Sequence, residues 1–371
     1  MKTGSTLSVR LGHLILLRTS PPASIRAVMF EILTKLAEHE PLSRSDAYRA
    51  MQLMLGGEAS SEQIAGFLMG LRTKGETTEE LTGLTEAMRA FAVPVSAPAH
   101  ALDIVGTGGD RSGSFNISTA TAFVCAGAGA TVAKHGNRSV SSKCGSADVL
   151  EHLGVHTELG KEGVEYCLEH AGMAFIFAPY FHPTLKHVMP VRKMLGVRTC
   201  FNILGPLCNP ASVKRHLIGA FSEEVAHKMA LILVNLGSDR VFCVHAEDGL
   251  DEISLSGPTT IFSSLSKGSG VTKSTVVPGD VGLPVAPMSA ILGGNSTENA
   301  LVLRRVLENE LGPKRDIVVL NAGFALVASG LADSPEAGVA LAQASIESGK
   351  AAAVLTRLIE VSGQARELEA A

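Results

Sequence analysis

The sequence predicts an α/β protein: a small N-terminal helical domain, then a larger domain with a mostly parallel sheet flanked by helices. Three observations carry this. Between residues 27 and 92, Ser43 with Asp46, Ser60 with Gln63 and Thr77 with Glu80 have the spacing of capping boxes, and each opens an apolar helical pattern. From residue 101 onward, short apolar runs alternate with helical patterns, as parallel strands covered on both faces require. The first of these runs, 101–105, stops in Gly-Thr-Gly-Gly-Asp, a loop at the strand edge where open α/β sheets bind ligands.

In chain order, residues 27–38 place Val28, Ile32, Leu33 and Leu36 on one helical face. Gly56-Gly57 and Gly75 supply helix stops, and Pro94 and Pro98 close the segment. The apolar faces exceed what four short helices bury among themselves, so a dimer contact is expected here. Strands are expected at 101–105, 130–133, 173–177, 216–220, 240–244, 260–263 and 316–320, and helices at 119–128, 145–153, 222–236, 296–311 and 336–348. Residues 181–210 are helical but interrupt the alternation. They are expected to pack back on the helical domain, which puts the cleft between two lobes able to close on a substrate. The expected division is an extension at 1–25, a helical domain at 26–96 joined in space by 181–210, and an α/β domain at 97–371. Residues 264–270 read as an exposed turn. Gly127-Ala-Gly129 resembles a dinucleotide fingerprint, but Val132 stands where the third glycine belongs, so it reads as helix C-cap packing.

A chain of 371 residues with 46% apolar and 18% charged residues can bury a sizeable core. The net charge of −4 argues against a chain-wide nucleic-acid footprint, and three Tyr with no Trp leave few stacking platforms. Cys125, Cys144, Cys167, Cys200, Cys208 and Cys243 show no CxxC spacing and read as buried, reduced thiols of a cytoplasmic protein. No apolar run reaches membrane-spanning length. The first 28 residues contain Lys2, Arg10, Arg18 and Arg26 and no acidic residue, and read as a transit-like or disordered extension, with Met29 as a possible start.

The chemistry concentrates in three junctions. Glycines at 106, 108 and 109 leave backbone amides open to an anion, although a plain tight turn uses the same residues. Asn116-Ile-Ser-Thr119 precedes an alanine-rich helix, where hydroxyls and free amides favour negative charge; N-capping alone explains one hydroxyl, not three polar residues. Lys134-His-Gly-Asn-Arg-Ser-Val-Ser-Ser142 gathers two cations, a His, an Asn and three serines on one loop, and Gly145-Ser146 opens the next helix with Ser146 as its cap. Farther on, adjacent Asp251 and Glu252 follow a strand end. Shared cation binding explains their pairing, as does a solvated acidic turn. Glu247 and Asp248 fit the turn reading.

The ordered motifs GTGGD, NIST, KHGNR and GSADVLE, with the later RKMLG, FNILGPL and Asp251-Glu252, closely resemble the anthranilate phosphoribosyltransferase family from about residue 29 to 360. The resemblance implies the two-domain fold of nucleoside phosphorylases and phosphoribosyltransferases, homodimerisation, and transfer of phosphoribose from phosphoribosyl pyrophosphate (PRPP) to anthranilate. It implies a PRPP cradle from Gly106, Thr107, Gly108, Gly109, Asp110, Ser114, Asn116, Ile117, Ser118, Thr119, Lys134, His135, Gly136, Asn137, Arg138, Ser139, Val140, Ser141, Ser142 and Ser146. It further implies Mg²⁺ on Ser118, Asp251 and Glu252, and anthranilate against Gly106, Asn137 and Arg192, whose planar fork suits a carboxylate. No general base stands out; His135 is the one His inside a motif. Lys186 and His187 read as surface residues. The competing readings are a pyrimidine nucleoside phosphorylase, whose glycine loop and lysine motif differ from these, and a non-catalytic nucleic-acid-binding relative, which would carry basic grooves and a degraded acidic pair.

Overall fold

The computed structural model describes residues 23–110, 112–138 and 144–371. The basic extension at 1–22 and the serine-rich stretch with Ser139, Val140, Ser141 and Ser142 lie outside the described residues. The first helix, α1 (Ala23–Ala37), opens inside the segment read as extension. It is followed by α2 (Arg44–Leu55), α3 (Ser61–Lys74) and α4 (Thr78–Ala90). All three capping boxes form, with Ser43, Ser60 and Thr77 accepting from the amides of Asp46, Gln63 and Glu80.

The larger unit runs β1 (Leu102–Gly106), α5 (Ile117–Gly127), β2 (Val132–Gly136), α6 (Ser146–Leu153), α7 (Lys161–Ala171) and β3 (Met173–Phe177). The interrupting segment supplies α8 (Ala178–Phe181), α9 (Met189–Leu195) and α10 (Phe201–Leu207). Then come β4 (Arg215–Gly219), α11 (Glu223–Asn235), β5 (Arg240–Ala246), β6 (Thr259–Ser264), β7 (Thr272–Val276), α12 (Ser296–Leu307), α13 (Pro313–Ser329), α14 (Pro335–Glu347) and α15 (Lys350–Ala370). The sheet order is β3-β2-β1-β4-β5-β6-β7, with the β5–β6 and β6–β7 pairs antiparallel and the other neighbours parallel. The chain leaves β1 toward β2 and β3, then returns to lay β4 on the other side of β1. The reversal between β1 and β4 is a topological switch point, where a crevice opens beyond the strand ends.

One expected strand is absent, and one strand was not expected. Residues 316–320 are not a strand; they lie in α13, buried on nearly all sides from Arg315 to Ser329. A helix buried all round and a buried parallel strand give the same continuous apolar run. Pro313 in the first turn and Gly330 just past the end mark it as a helix. Conversely, β7 escapes an apolar search because it is an exposed edge strand, Thr-Lys-Ser-Thr-Val, with only Val276 buried.

Strand alternation gives the sheet two different faces. Ile104, Leu217, Phe242 and Val244 join one core with α5 and α13. Ile218, Val241 and Cys243 join another that also contains Met51, Phe67 and Leu84 of the N-terminal helices and Val191, Phe201 and Leu204 of α9 and α10. The interrupting segment and the helical bundle therefore share one core, seated on one sheet face.

The β1–β2 seam is only partly closed. β1 pairs with β4 over five residues, but with β2 only at Leu102 and Val132. Side chains satisfy the backbone beyond that point. Lys134 Nζ donates to the Ile104 carbonyl at 2.5 Å, the His135 amide donates to Asp103 Oδ1 at 3.2 Å, and Asn209 Nδ2 donates to the Ala133 carbonyl at 2.8 Å. Removing one such partner strands a buried group. Asn209→Ala is expected to destabilise the fold by about 1–3 kcal/mol, read as a lower urea midpoint at unchanged m-value.

Candidate active site

The site forms at the switch point. Gly106 and Gly219, the last residues of β1 and β4, are register partners, and the Thr107 amide extends the pairing to the Gly219 carbonyl at 2.9 Å. The turn containing Asp251 rests directly on both glycines. A Cβ on Gly106 would lie 2.6 Å from Asp251 Oδ2, and one on Gly219 would collide with the Asp251 carbonyl. Asp248 staples this turn by accepting from Ser254 Oγ at 2.6 Å, the Leu250 amide at 3.1 Å and Ser256 Oγ. Asn321 of α13 clamps the adjacent peptide through the amide and carbonyl of Ile253, both at 2.9 Å. Asp248 is therefore structural.

The glycine loop faces the acidic pair. Gly108 and Gly109 take positive φ of 64° and 72°, and the Gly108 amide donates to Asp251 Oδ2 at 2.7 Å. Asp110 Oδ1 accepts from the Ser112 amide at 3.2 Å, and Ser112 Oγ donates to Ser114 Oγ at 3.0 Å. Strand-like bonds from Phe115 to Ile291 and from Gly293 to Gly113 pin this loop from outside.

At the start of α5, Asn116 occupies the N-cap without a side-chain cap bond and donates to the Cys144 carbonyl at 3.3 Å. Ile117 is a buried core residue whose amide bonds Phe115. Ser118 Oγ accepts from Lys134 Nζ at 3.2 Å. Lys134 is fully buried; burial lowers its pKa, while Asp103 and Glu252 oppose that fall. Burial holds both acids of the pair above the ordinary carboxylate range. Asp110 adds to this at Asp251, and Asp251 adds to it at Glu252, whereas the Gly108 amide favours the Asp251 carboxylate, and Lys134 and the Ser118 amide favour that of Glu252.

Five buried polar atoms on the glycine loop, the start of α5 and β2 have no hydrogen-bond partner among the described residues: Thr107 Oγ1, Asp110 Oδ2, Asn116 Oδ1, Thr119 Oγ1 and His135 Nε2. Buried polar groups are normally paired, so this cluster fits a polar ligand. Carboxylates crowded together with raised pKa fit a cation. Among the described residues no three His, Cys, Asp or Glu side chains form a metal cage. Two adjacent carboxylates beside the Ser118 hydroxyl and amide are oxygen donors of the kind that suits Mg²⁺, which completes its shell with water and substrate phosphates.

The lysine motif divides. Lys134 and His135 point into protein, Gly136 is pressed by the Phe175 ring, and Asn137 is exposed. His135 packs at 5.3 Å from His182; burial first, then the neighbouring His182, holds it well below the ordinary value, so it is neutral near pH 7. Arg138 is engaged elsewhere, with two bonds of 2.7 Å to Glu151, one of 3.0 Å to Glu158 and one of 3.4 Å to Asp148. Ser146 is the first residue of α6, not its cap. Gly145 caps, and its amide donates to Asp148 at 2.7 Å.

Arg192 lies on α9, its guanidinium 4.7 Å from the centre of the Phe201 ring and 3.3 Å from Met189 Sδ. It has no carboxylate within ion-pair distance among the described residues, and burial pulls its pKa down. Lys193 and Lys186 are exposed; His187 is exposed and covers Gly57. Asp103, Asn209, Asn321, His182 and Arg198 also shape this region; Asp103 opens the run that leads into the glycine loop but has no role legible there, and the other four reach the site through tertiary packing.

Residues 98–352 match the glycosyl transferase family a/b domain, and residues 30–92 match the helical bundle domain of the same family. The chain is 52% identical over 342 residues to the anthranilate phosphoribosyltransferase of Salinibacter ruber, covering 91% of this chain and 99% of that protein. Its structure is similar to that of anthranilate phosphoribosyltransferase from Thermus thermophilus, with a TM-score of 0.84 and 43% identity over 89% of this chain and 99% of that one. It is also similar to the Saccharomyces cerevisiae enzyme in complex with PRPP and Mg, with a TM-score of 0.83 and 28% identity over 91% of this chain and 98% of that one.

Burial raises Asp103 from the ordinary 3.8 to about 6 despite the Asn209 and Lys134 contacts. A raised acid binds its proton more tightly in the folded state. Its stabilising contribution is complete below about pH 4 and is lost as pH rises through about 6. Asp251 and Glu252 act in the same sense. Between about pH 4 and 6 Asp103 therefore withdraws roughly 3 kcal/mol of stability at most, while buried His135, His182 and His216, whose pKa values burial lowers, act in the opposite sense. In urea melts across this range the stability of Asp103→Asn, relative to the parent, should rise with pH; a parent–variant difference that does not change with pH would contradict the assignment.

Proposed function

The chain belongs to the anthranilate phosphoribosyltransferase family, and from that premise we propose how its residues divide the work. The enzyme transfers the phosphoribosyl group of PRPP to anthranilate, giving N-(5-phosphoribosyl)anthranilate and pyrophosphate, the second step of tryptophan biosynthesis. It is a Mg²⁺-dependent glycosyltransferase. The observation that supports the site assignment is the acidic turn seated on Gly106 and Gly219, where the Gly108 amide of the glycine loop donates to Asp251.

The reaction breaks the bond between ribose C1 and the pyrophosphate oxygen, so positive charge builds on the ring while a strongly anionic group departs. Positioning and fixed dipoles are the protein's main contributions. In this reading the glycine-loop amides, Thr107, Asn116, Ser118, Thr119 and the residues following Lys134 receive the phosphates. When bound, Mg²⁺ on Ser118, Asp251 and Glu252 offsets the pyrophosphate charge. Lys134 stays buried beneath, supplying positive charge between Ser118 and Glu252. Arg192, free of carboxylates, takes the anthranilate carboxylate, while Gly106 and Asn137 line the approach of the amine to C1. The aniline nitrogen is neutral at pH 7 and sheds its proton after attack, so no strong base is required beforehand. His135, neutral and with Nε2 unpartnered, orients polar groups at the wall. Arg138 reaches a phosphate only by giving up its carboxylate partners.

The helical bundle is proposed as a homodimer surface. Phe30 on α1 is 72% exposed and Met69 on the adjacent α3 is 36% exposed. Six buried cysteines, none joined in a disulfide among the described residues, accord with a reducing cytoplasm.

Arg192→Ala is expected to raise the KM for anthranilate roughly tenfold or more, as loss of a charged hydrogen bond implies, with little change for PRPP. Equal effects on both substrates would refute the role. Asp251→Asn combined with Glu252→Gln should shift the Mg²⁺ activation curve to higher concentration; superimposable curves rule out these ligands. Phe30→Glu should lower the mass seen in sedimentation from dimer to monomer.

A further inference from the structure

We infer that Arg198 is a strut coupling the two halves of the cleft: it ties the segment that carries Arg192 to the glycine loop, so that ligand on one side organises the other. This rests on the site assignment above. Arg198 lies in the turn between α9, which bears Arg192, and α10, whose first residue Phe201 supports the Arg192 guanidinium. Arg198 Nη2 crosses to the Gly109 carbonyl at 2.5 Å. Its guanidinium also lies 4.4 Å from the centre of the Phe221 ring, just beyond β4. Among the described residues no carboxylate lies within ion-pair distance of it. One exposed side chain thus touches the glycine loop and the β4 end while belonging to the α9–α10 turn.

The coupling follows from peptide geometry. The Gly109 carbonyl and the Asp110 amide share one peptide plane. When the loop amides turn toward an anion, that plane is fixed, and so is the acceptor that Arg198 holds. The guanidinium then sets the α9–α10 turn and, through Phe201, the direction of Arg192. Gly109 is adapted to this contact: its φ is +72°, and a Cβ there would lie 3.3 Å from Arg198 Nη2. Arginine suits the task because its planar fork can stack on Phe221 and donate to a carbonyl at once, whereas lysine can only donate. Arg198 is a positioning residue; it touches neither reacting atom.

Calorimetric titration of anthranilate, with and without inorganic pyrophosphate and Mg²⁺ as an unreactive stand-in for PRPP, measures the coupling directly. In the parent protein each ligand should tighten the other by about fivefold or more, the lower end of ordinary site–site coupling. Arg198→Met should bring that factor close to one while each ligand's separate affinity and the thermal midpoint stay near the parent's. Arg198→Lys should recover part of it, and Phe221→Leu should lose part of it with Arg198 intact. Parent-like coupling in Arg198→Met, absence of coupling in the parent, or equal loss of both separate affinities would overturn the inference. Arg192→Ala measured in parallel separates the two levels: if it binds anthranilate normally the site assignment itself fails, whereas weak anthranilate binding there with unchanged coupling in Arg198→Met sinks only the strut.

Discussion

The Asp251 turn can lie on the ends of β1 and β4 only because neither strand ends in a residue with a Cβ. Gly106 and Gly219 face each other in register; the backbone of residue 251 occupies the space a side chain at 219 would fill, and the Asp251 carboxylate the space of one at 106. That contact brings an acidic pair from beyond β5 to the start of the glycine loop and to the N-terminus of α5. The site therefore depends on close backbone approach more than on any single polar bond. The Asp248 staple and the Asn321 clamp fix the turn from the side away from the ligand.

The second constraint is charge. Lys134, Asp103 and Glu252 are deeply buried, and Asp251 shares that environment. Without ligand, burial pushes the acids toward their neutral forms and the lysine toward its own, so the crevice is under electrostatic tension. Under the proposed assignment a divalent cation accompanied by a phosphorylated sugar would relieve it. The groups proposed to serve the reaction thus carry a burial cost in the empty protein, beside a β1–β2 seam paired only at its start.

The sheet faces divide the remaining labour. One face is sealed by α5 and α13 into a rigid core that holds β1 and the acidic turn. The other accepts α10 and α11 together with the helical bundle, so Arg192 and Arg198 arrive from a segment that shares its core with that bundle. Groups assigned to the sugar phosphates and to the aromatic ring consequently sit on different bodies, joined across the crevice by few polar contacts.

Local chemistry made much of this legible from the residues alone. Capping boxes at Ser43, Ser60 and Thr77 act over three residues, so spacing determines them. The glycine loop, the α5 N-terminus and the acidic pair could be read as anion and cation chemistry because each is contiguous in the chain. Tertiary structure alone decided what depends on neighbours far along it. Residues 316–320 became helix, since a fully buried run has no periodicity to separate the two forms. Arg138 turned to Glu151 and Glu158 rather than into the crevice. Asp103, Asn209 and Arg198 acquired roles only when β1, β2 and the α9–α10 turn came together, because a hydrogen bond is specified by a distance in space, which amino-acid order does not contain.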